Sequence, residues 1–215
     1  MLDLAEILKR NFGHSSLRHG QKRIIDNVLD GVNTLAILPT GGGKSLCYQL
    51  PALCKSGLSI VVSPLIALMR DQVDGLIKKN IPALRLDSST SAEGHEEALQ
   101  QIKSGKLKLL YLSPERLADP AMLKLLKRQP IALVAVDEAH CISEWGHSFR
   151  PSYIKLPKLV KSLKPEVVLA LTATASKVTA NGIRKAFGIL KRDHVQTSFY
   201  RDNLEFDVTV APTEG

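Results

Sequence analysis

Apolar residues along this chain fall into two kinds of run. Short runs, unbroken or holding a single polar residue (Thr34, Ser59, Arg85 or Lys108), occur at 34–38, 58–62, 83–86, 107–112, 131–136 and 167–171. Runs of that length and continuity predict strands buried on both faces. Between them the apolar positions recur at three- and four-residue spacing, which predicts helices. In residues 17–29 the apolar face is Ile24, Ile25, Val28 and Leu29, and Gly31 ends the pattern. In 65–79 it is Leu65, Leu68, Met69, Val73 and Leu76; in 156–163 it is Leu156, Leu159, Val160 and Leu163. Further helices are predicted over 2–12, 46–50, 91–103, 120–128 and 176–187. Strands alternating with helices imply βαβ units, so the predicted fold class is α/β: a mostly parallel sheet with helices on both faces. The alternation holds over 1–193, predicted as one domain; after Asp193 it gives way to strand-like stretches at 195–199 and 204–210.

Composition narrows the class. The 215 residues are 44% hydrophobic, enough for a sizeable core. Lys and Arg number 29 against 21 Asp and Glu, a net charge of +8, which favours a polyanionic partner, nucleic acid before membrane. The basic series Lys155, Lys158, Lys161 and Lys164 spreads over half a helix and reads as a solvated face. Cys47, Cys54 and Cys141 have neither zinc-ligand nor disulfide-framework spacing, so a reducing compartment and no structural metal are expected. No apolar run approaches a membrane span of about 18 residues, and the first residues do not read as a signal peptide. A soluble intracellular protein is expected.

Two stretches carry chemistry. The first is Leu38-Pro39-Thr40-Gly41-Gly42-Gly43-Lys44-Ser45, between a predicted strand and a predicted helix. That context makes a phosphate-binding loop. Thr40, Gly41, Gly42 and Gly43 allow backbone N–H groups to converge on one anion, and the following helix adds its N-terminal dipole. Lys44 is expected on the β- and γ-phosphates of ATP, and the Ser45 hydroxyl on Mg²⁺. The strict pattern has Gly where Leu38 stands. The second stretch is Asp137-Glu138-Ala139-His140, at the C-terminal end of the most apolar run. Ligands of parallel sheets bind beyond the carboxyl ends of the strands, so the acidic pair and the glycine loop are expected on one edge. Asp137 is expected to hold Mg²⁺, Glu138 to orient and deprotonate the attacking water, and His140 to belong to the same catalytic group.

With these motifs the chain resembles, over nearly its whole length, the first RecA-like motor domain of the RecQ family of DNA helicases. Phe12-Gly13-His14 and Leu17-Arg18-His19-Gly20-Gln21 resemble that family's adenine-recognition motif, with His19 in place of the usual proline. The resemblance puts Gln21 on the adenine edge, Arg18 beside it and His14 against the base. Residues 61–72 resemble a motif facing the nucleic-acid backbone, which implies phosphate contacts from Ser63 and Arg70; 111–117 is a strand end of the same kind. Residues 141–151, with the one Trp of the chain, resemble the aromatic-rich loop characteristic of the family. Trp145 and Phe149 are then expected to stack on unpaired bases, with His147 and Arg150 beside them and Arg150 on phosphate. Thr172 and Thr174, in Leu171-Thr172-Ala173-Thr174-Ala175, either couple hydrolysis to strand movement, as the resemblance implies, or cap the helix beginning near Ser176.

The resemblance implies the ATP-binding half of an ATP-dependent 3′-to-5′ DNA helicase acting in recombination, repair or replication. Its cofactors are ATP and Mg²⁺, and its partner is single-stranded or tailed duplex DNA. It acts in the cytoplasm or nucleoid of a bacterium or the nucleus of a eukaryote. Residues 194–215 resemble the hinge to a second RecA-like domain, which supplies an arginine finger; alone, the chain is expected not to unwind DNA. An RNA helicase motor of the same superfamily and a truncated nucleotide-binding regulatory module are the alternatives.

Overall fold

The computed structural model describes residues 4–142, 151–198 and 207. Seven strands form one sheet in the order β3-β4-β2-β5-β6-β1-β7. They are β1 (Thr34–Ile37), β2 (Leu58–Val62), β3 (Ala83–Leu86), β4 (Leu109–Leu112), β5 (Ile131–Val136), β6 (Val167–Thr172) and β7 (His194–Gln196). Every pairing is parallel. The helices are α1 (Leu4–Ile7), α2 (Gln21–Leu29), α3 (Leu46–Cys54), α4 (Ile66–Ile77), α5 (Ala92–Lys103), α6 (Pro114–Ala118), α7 (Pro120–Leu126), α8 (Pro151–Ile154), α9 (Leu156–Leu163) and α10 (Lys177–Phe187).

The two-residue period of the strands divides the core into two layers. Leu35 and Ile37 of β1, Ile60 and Val62 of β2 and Val134 and Val136 of β5 face one layer, closed by α5, α7, α9 and α10. Ala36, Val61, Leu133 and Ala135 face the other, closed by α2, α3 and α4. A central strand buried on both sides cannot alternate with polar residues, which is why Ile131–Val136 is apolar throughout. Among the described residues no helix is long and apolar enough to cross a membrane. Cys47 and Cys141 are buried, Cys54 is half-buried, and all three are free thiols.

The elements differ from the sequence expectation mainly at their ends. The helix expected from residue 17 begins at Gln21, because Gly20 takes φ +83° and the Gln21 side chain turns back to accept the Arg18 amide at 2.8 Å. The helix expected over 2–12 is α1 followed by a π-helical turn, Leu8–Phe12, closed by Gly13 at φ +72°. The helix expected to end at residue 50 runs to Cys54 through Pro51. Helix α6 was not expected: Ser113 caps it by accepting the Arg116 amide, and Pro114 opens it. The strand expected at 195–199 is His194–Gln196, and it pairs with β1 at the sheet edge. Residues 143–150 of the aromatic-rich loop and the strand expected at 204–210 lie outside the described residues, apart from an exposed Asp207.

Candidate functional site

The C-terminal ends of β1, β6 and β5 lie side by side, so the segments after them open on one edge. The glycine loop follows β1, Thr172 ends β6, and the acidic tetrapeptide follows β5. With strands about 4.8 Å apart, β1 and β5 sit roughly 10 Å from each other, about the reach of a nucleotide's phosphate chain. The cleft between them has a volume of about 520 Å³. It is lined by His14, Arg18, Gln21, Thr40, Gly41, Gly43, Lys44, Ser45, Asp137 and Glu138 among others. Ten of the residues predicted for the nucleotide site from sequence thus border one space.

The glycine loop is held from below. Gly41 and Gly43 take φ +76° and +77°, which a side chain resists. The Gln21 amide donates to the carbonyls of Gly42 at 3.3 Å and Gly43 at 3.1 Å, and its oxygen accepts the Arg18 amide. The Arg18 guanidinium donates to the Gly41 carbonyl. Both ends of the Gln21 amide are therefore on the protein, and Gln21, expected on an adenine edge, is buried against the loop it braces while still bordering the cleft. Exposed His14 borders the cleft. The Lys44 ammonium donates to the carbonyls of Leu38 at 3.2 Å and Pro39 at 3.4 Å.

Opposite the loop, Asp137 is buried. One oxygen accepts the Glu138 amide at 3.0 Å and the other the Ser63 hydroxyl at 3.4 Å. Burial and the neighbouring Glu138 carboxylate push its carboxyl up to about 6, against the opposing pull of Lys44 and Ser63. The Asp137 carboxylate and, across the cleft, the Ser45 hydroxyl are hard oxygen donors of the kind a divalent cation takes, and the Lys44 ammonium borders the same cleft as a site for anionic groups. Tyr153 donates its hydroxyl to the Asp137 carbonyl at 2.9 Å and pins the strand end. Ser63, expected on nucleic-acid phosphate, is buried with its side chain on Asp137. Arg70 is exposed on α4.

Glu138 has φ +48°, unusual for a residue with a side chain. Its carboxylate lies 3.2 Å from Nδ1 of His140, whose hydrogen bond holds the Glu138 carboxyl below its usual range. The Cys141 sulfur and the Glu138 carboxylate flank the His140 ring and raise its pKa above the ordinary value. The same Nδ1 lies 2.9 Å from the Thr172 hydroxyl, which donates to the Thr174 carbonyl at 2.9 Å. Helix α10 is capped by Ser176, not by either threonine, so Thr172 stands in a hydrogen-bonded line with His140 and Glu138.

Sequence reasoning missed the layer beneath the cleft. Tyr48 and Tyr111 are buried, stacked edge-on with ring centroids 6.2 Å apart, and both hydroxyls lie near Asp137. Gln49 donates to the Tyr111 hydroxyl at 3.0 Å and to Gln72 at 2.8 Å. The available signal was a tyrosine inside a buried strand, since a buried phenol needs a partner. Trp145, His147, Phe149 and Arg150 lie outside the described residues.

A parallel sheet carrying a glycine loop after one strand and an acidic pair after another, open on one edge, defines a P-loop nucleotide-binding motor domain. The chain belongs to the DEAD/DEAH box helicase family, whose profile matches residues 18–181. It is 46% identical over 205 residues to the ATP-dependent DNA helicase RecQ of Bacillus subtilis, covering 94% of this chain and 34% of that protein. It is 43% identical over 200 residues to the RecQ of Haemophilus influenzae, covering 93% and 32%. The chain thus spans about a third of the length of these relatives. Two solved structures share the fold at 19% identity and TM-score 0.70. One is a hypothetical ATP-dependent RNA helicase from Sulfolobus tokodaii, with 92% of this chain and 57% of that one covered. The other is the DUF1998 helicase MrfA bound to DNA, with 91% and 27% covered.

Proposed function

We propose that this chain is the ATP-binding motor domain of an ATP-dependent DNA helicase of the RecQ type. It binds MgATP in the cleft between the glycine loop and the acidic pair, and single-stranded DNA along the same sheet edge. The observation that carries the reading is the convergence of Lys44, Ser45, Asp137 and Glu138 on one cleft from two strands that are not neighbours. Identity above 40% to RecQ proteins supports DNA as the nucleic acid.

Each residue then has a task set by its chemistry. The amides of the glycine loop and the Lys44 ammonium bind the triphosphate; leaving the Leu38 and Pro39 carbonyls costs Lys44 two weak bonds and gains charge-assisted ones. Ser45 and Asp137 hold Mg²⁺, which when bound neutralises charge on the β- and γ-phosphates. Glu138, ionised at neutral pH, orients the attacking water and accepts its proton. His140 orients the Glu138 carboxylate through the Nδ1–H that it shares with the Thr172 oxygen. The strand ends after β2 and β4 and the exposed Arg70 face the nucleic-acid backbone.

The test is nucleotide binding and hydrolysis by the parent, Lys44→Ala and Glu138→Gln. Lys44→Ala should weaken MgATP binding by about 2–3 kcal/mol. Glu138→Gln should bind MgATP normally and not hydrolyse it. Equal titration curves for parent and Lys44→Ala would overturn the assignment. In a chain carrying both motor domains, stronger stimulation by single-stranded RNA than by DNA would overturn the choice of nucleic acid.

A further inference from the structure

We propose that Tyr153 is a positioning residue for hydrolysis: its hydroxyl fixes the Asp137–Glu138 peptide in the orientation that keeps the Glu138 carboxylate on His140 and in the cleft. This rests on the MgATP reading above and deepens it, since Glu138 is the group that handles the attacking water there.

The backbone of Glu138 sets where its side chain points, and that backbone is unusual. Its φ is +48°, which a Cβ resists. A residue keeps such a conformation only where its surroundings fix it. Three hydrogen bonds do so here. One residue past the end of β5, the Asp137 amide donates to the Val62 carbonyl at 2.8 Å. The Glu138 amide donates to Oδ1 of Asp137 at 3.0 Å. The Tyr153 hydroxyl donates to the Asp137 carbonyl at 2.9 Å. The last two grip the N–H and the C=O of one peptide group, and so set its plane.

Tyr153 is itself held. It is fully buried, in the layer that contains Leu156 and Val160. Its helix, α8, packs against the turn Ala139–Ile142 that carries His140. That short helix therefore reaches both the peptide before Glu138 and the turn after it. Without the Tyr153 hydroxyl a buried carbonyl loses a donor, and a half-turn of the peptide relieves the positive φ. The half-turn takes the Glu138 amide off Asp137 and tilts the Glu138 Cβ. The carboxylate is then carried away from Nδ1 of His140, from which it stands 3.2 Å. Lys44 and Ser45, on the opposite wall of the cleft, stay where they are.

The experiment compares the 215-residue parent with Tyr153→Phe, Glu138→Gln and the Tyr153→Phe/Glu138→Gln double. Single-turnover hydrolysis of radiolabelled ATP is measured with protein in excess, below every melting temperature, beside affinity for fluorescent ribose-labelled ATP with Mg²⁺. Tyr153→Phe keeps the ring and removes one hydroxyl. It should lower the hydrolysis rate about ten- to a hundredfold, the cost of a misplaced reacting group, and change MgATP affinity by less than about threefold. It should add nothing to the rate loss of Glu138→Gln, because its effect passes through that carboxylate. A crystal structure of nucleotide-free Tyr153→Phe, a readout independent of turnover, should show Glu138 at negative φ with its carboxylate off His140. Glu138 still at positive φ and still on His140 overturns the inference. A lowered melting temperature with the parent's rate also overturns it, since Tyr153 would then serve only the core. Hydrolysis lost in Glu138→Gln but intact in Tyr153→Phe overturns the inference and leaves the MgATP reading standing. The parent's rate in Glu138→Gln overturns that reading together with the inference.

Discussion

At Gly43 the residue type is dictated from two directions. The backbone sits at φ +77°, and a Cβ would lie 2.3 Å from the Gln21 amide nitrogen. Gly43→Ala should destabilise the chain by at least about 1–2 kcal/mol from the left-handed backbone alone. It should also abolish nucleotide binding, with Gln21→Ala restoring stability only in part; thermal melts and ATP titration check both. Asp137 makes the opposite kind of prediction. Its folded pKa, about 6, stands above the ordinary 3.8, so the folded chain binds the proton more tightly than the unfolded one. This contribution to stability is full below about pH 4 and is lost as pH rises through 6, about 3 kcal/mol in all. Asp137→Asn should therefore raise the urea midpoint of the nucleotide-free chain at pH 7–8 and flatten its slope between pH 4 and 6, while weakening MgATP binding. A midpoint unchanged at pH 7–8 would show that Asp137 ionises without cost. Ser59 is a simpler case: its buried hydroxyl in β2 has no hydrogen-bond partner. Ser59→Ala should leave the urea midpoint unchanged or raise it by up to about 1 kcal/mol.

At the scale of elements, four of the described helices begin on a side chain that accepts an amide three residues on. Ser91 accepts from Gly94, Ser113 from Arg116, Asp119 from Met122 and Ser176 from Thr179. Helix α10 carries Ala180, Ile183 and Phe187 into the layer beside β1 and β6, so its start bears on the strand ends at the site. Ser176→Ala should cost about 1 kcal/mol of stability. It should not alter the Glu138–His140–Thr172 line, because Thr172 is held by His140 and Thr174 rather than by the helix cap. A urea melt and the basal hydrolysis rate separate the two effects. Strand positions were legible in the apolar runs because a strand covered on both faces admits almost no polar residue. Element ends were less legible. They turn on single conformations such as Gly20, and on caps such as Ser113, whose partners are fixed only when the chain folds.

At the scale of the whole molecule, the function proposed above gives residues 1–215 the ground-state contacts to MgATP, and the transition-state contacts are the open question. Among the described arginines, the one bordering the cleft is Arg18, and its guanidinium is on the Gly41 carbonyl. An arginine finger is worth about 10³–10⁵ in rate. The 215-residue chain should therefore bind MgATP, hydrolyse it slowly and fail to unwind a duplex with a 3′ single-stranded tail. Its +8 charge should still give weak DNA binding that falls steeply with salt. A strand-displacement assay with Glu138→Gln as control decides the first point, and robust unwinding would mean that a second copy completes the cleft.

What the sequence determined by itself was the α/β class, the parallel sheet, the glycine loop and the acidic tetrapeptide. Each is a local pattern: a run of apolar residues, a turn needing glycine, a motif contiguous in the chain. The tertiary structure alone decided where side chains from distant segments end. Gln21 braces the loop 21 residues on, and Ser63 donates to Asp137 across 74 residues, contacts that no local pattern marks. No sequence pattern marked Gln49 and Tyr111 as partners, yet they are hydrogen-bonded beneath the cleft. The reason is physical: a buried polar group must find a partner, and the partner's identity depends on which strands become neighbours, not on which residues are adjacent in the chain.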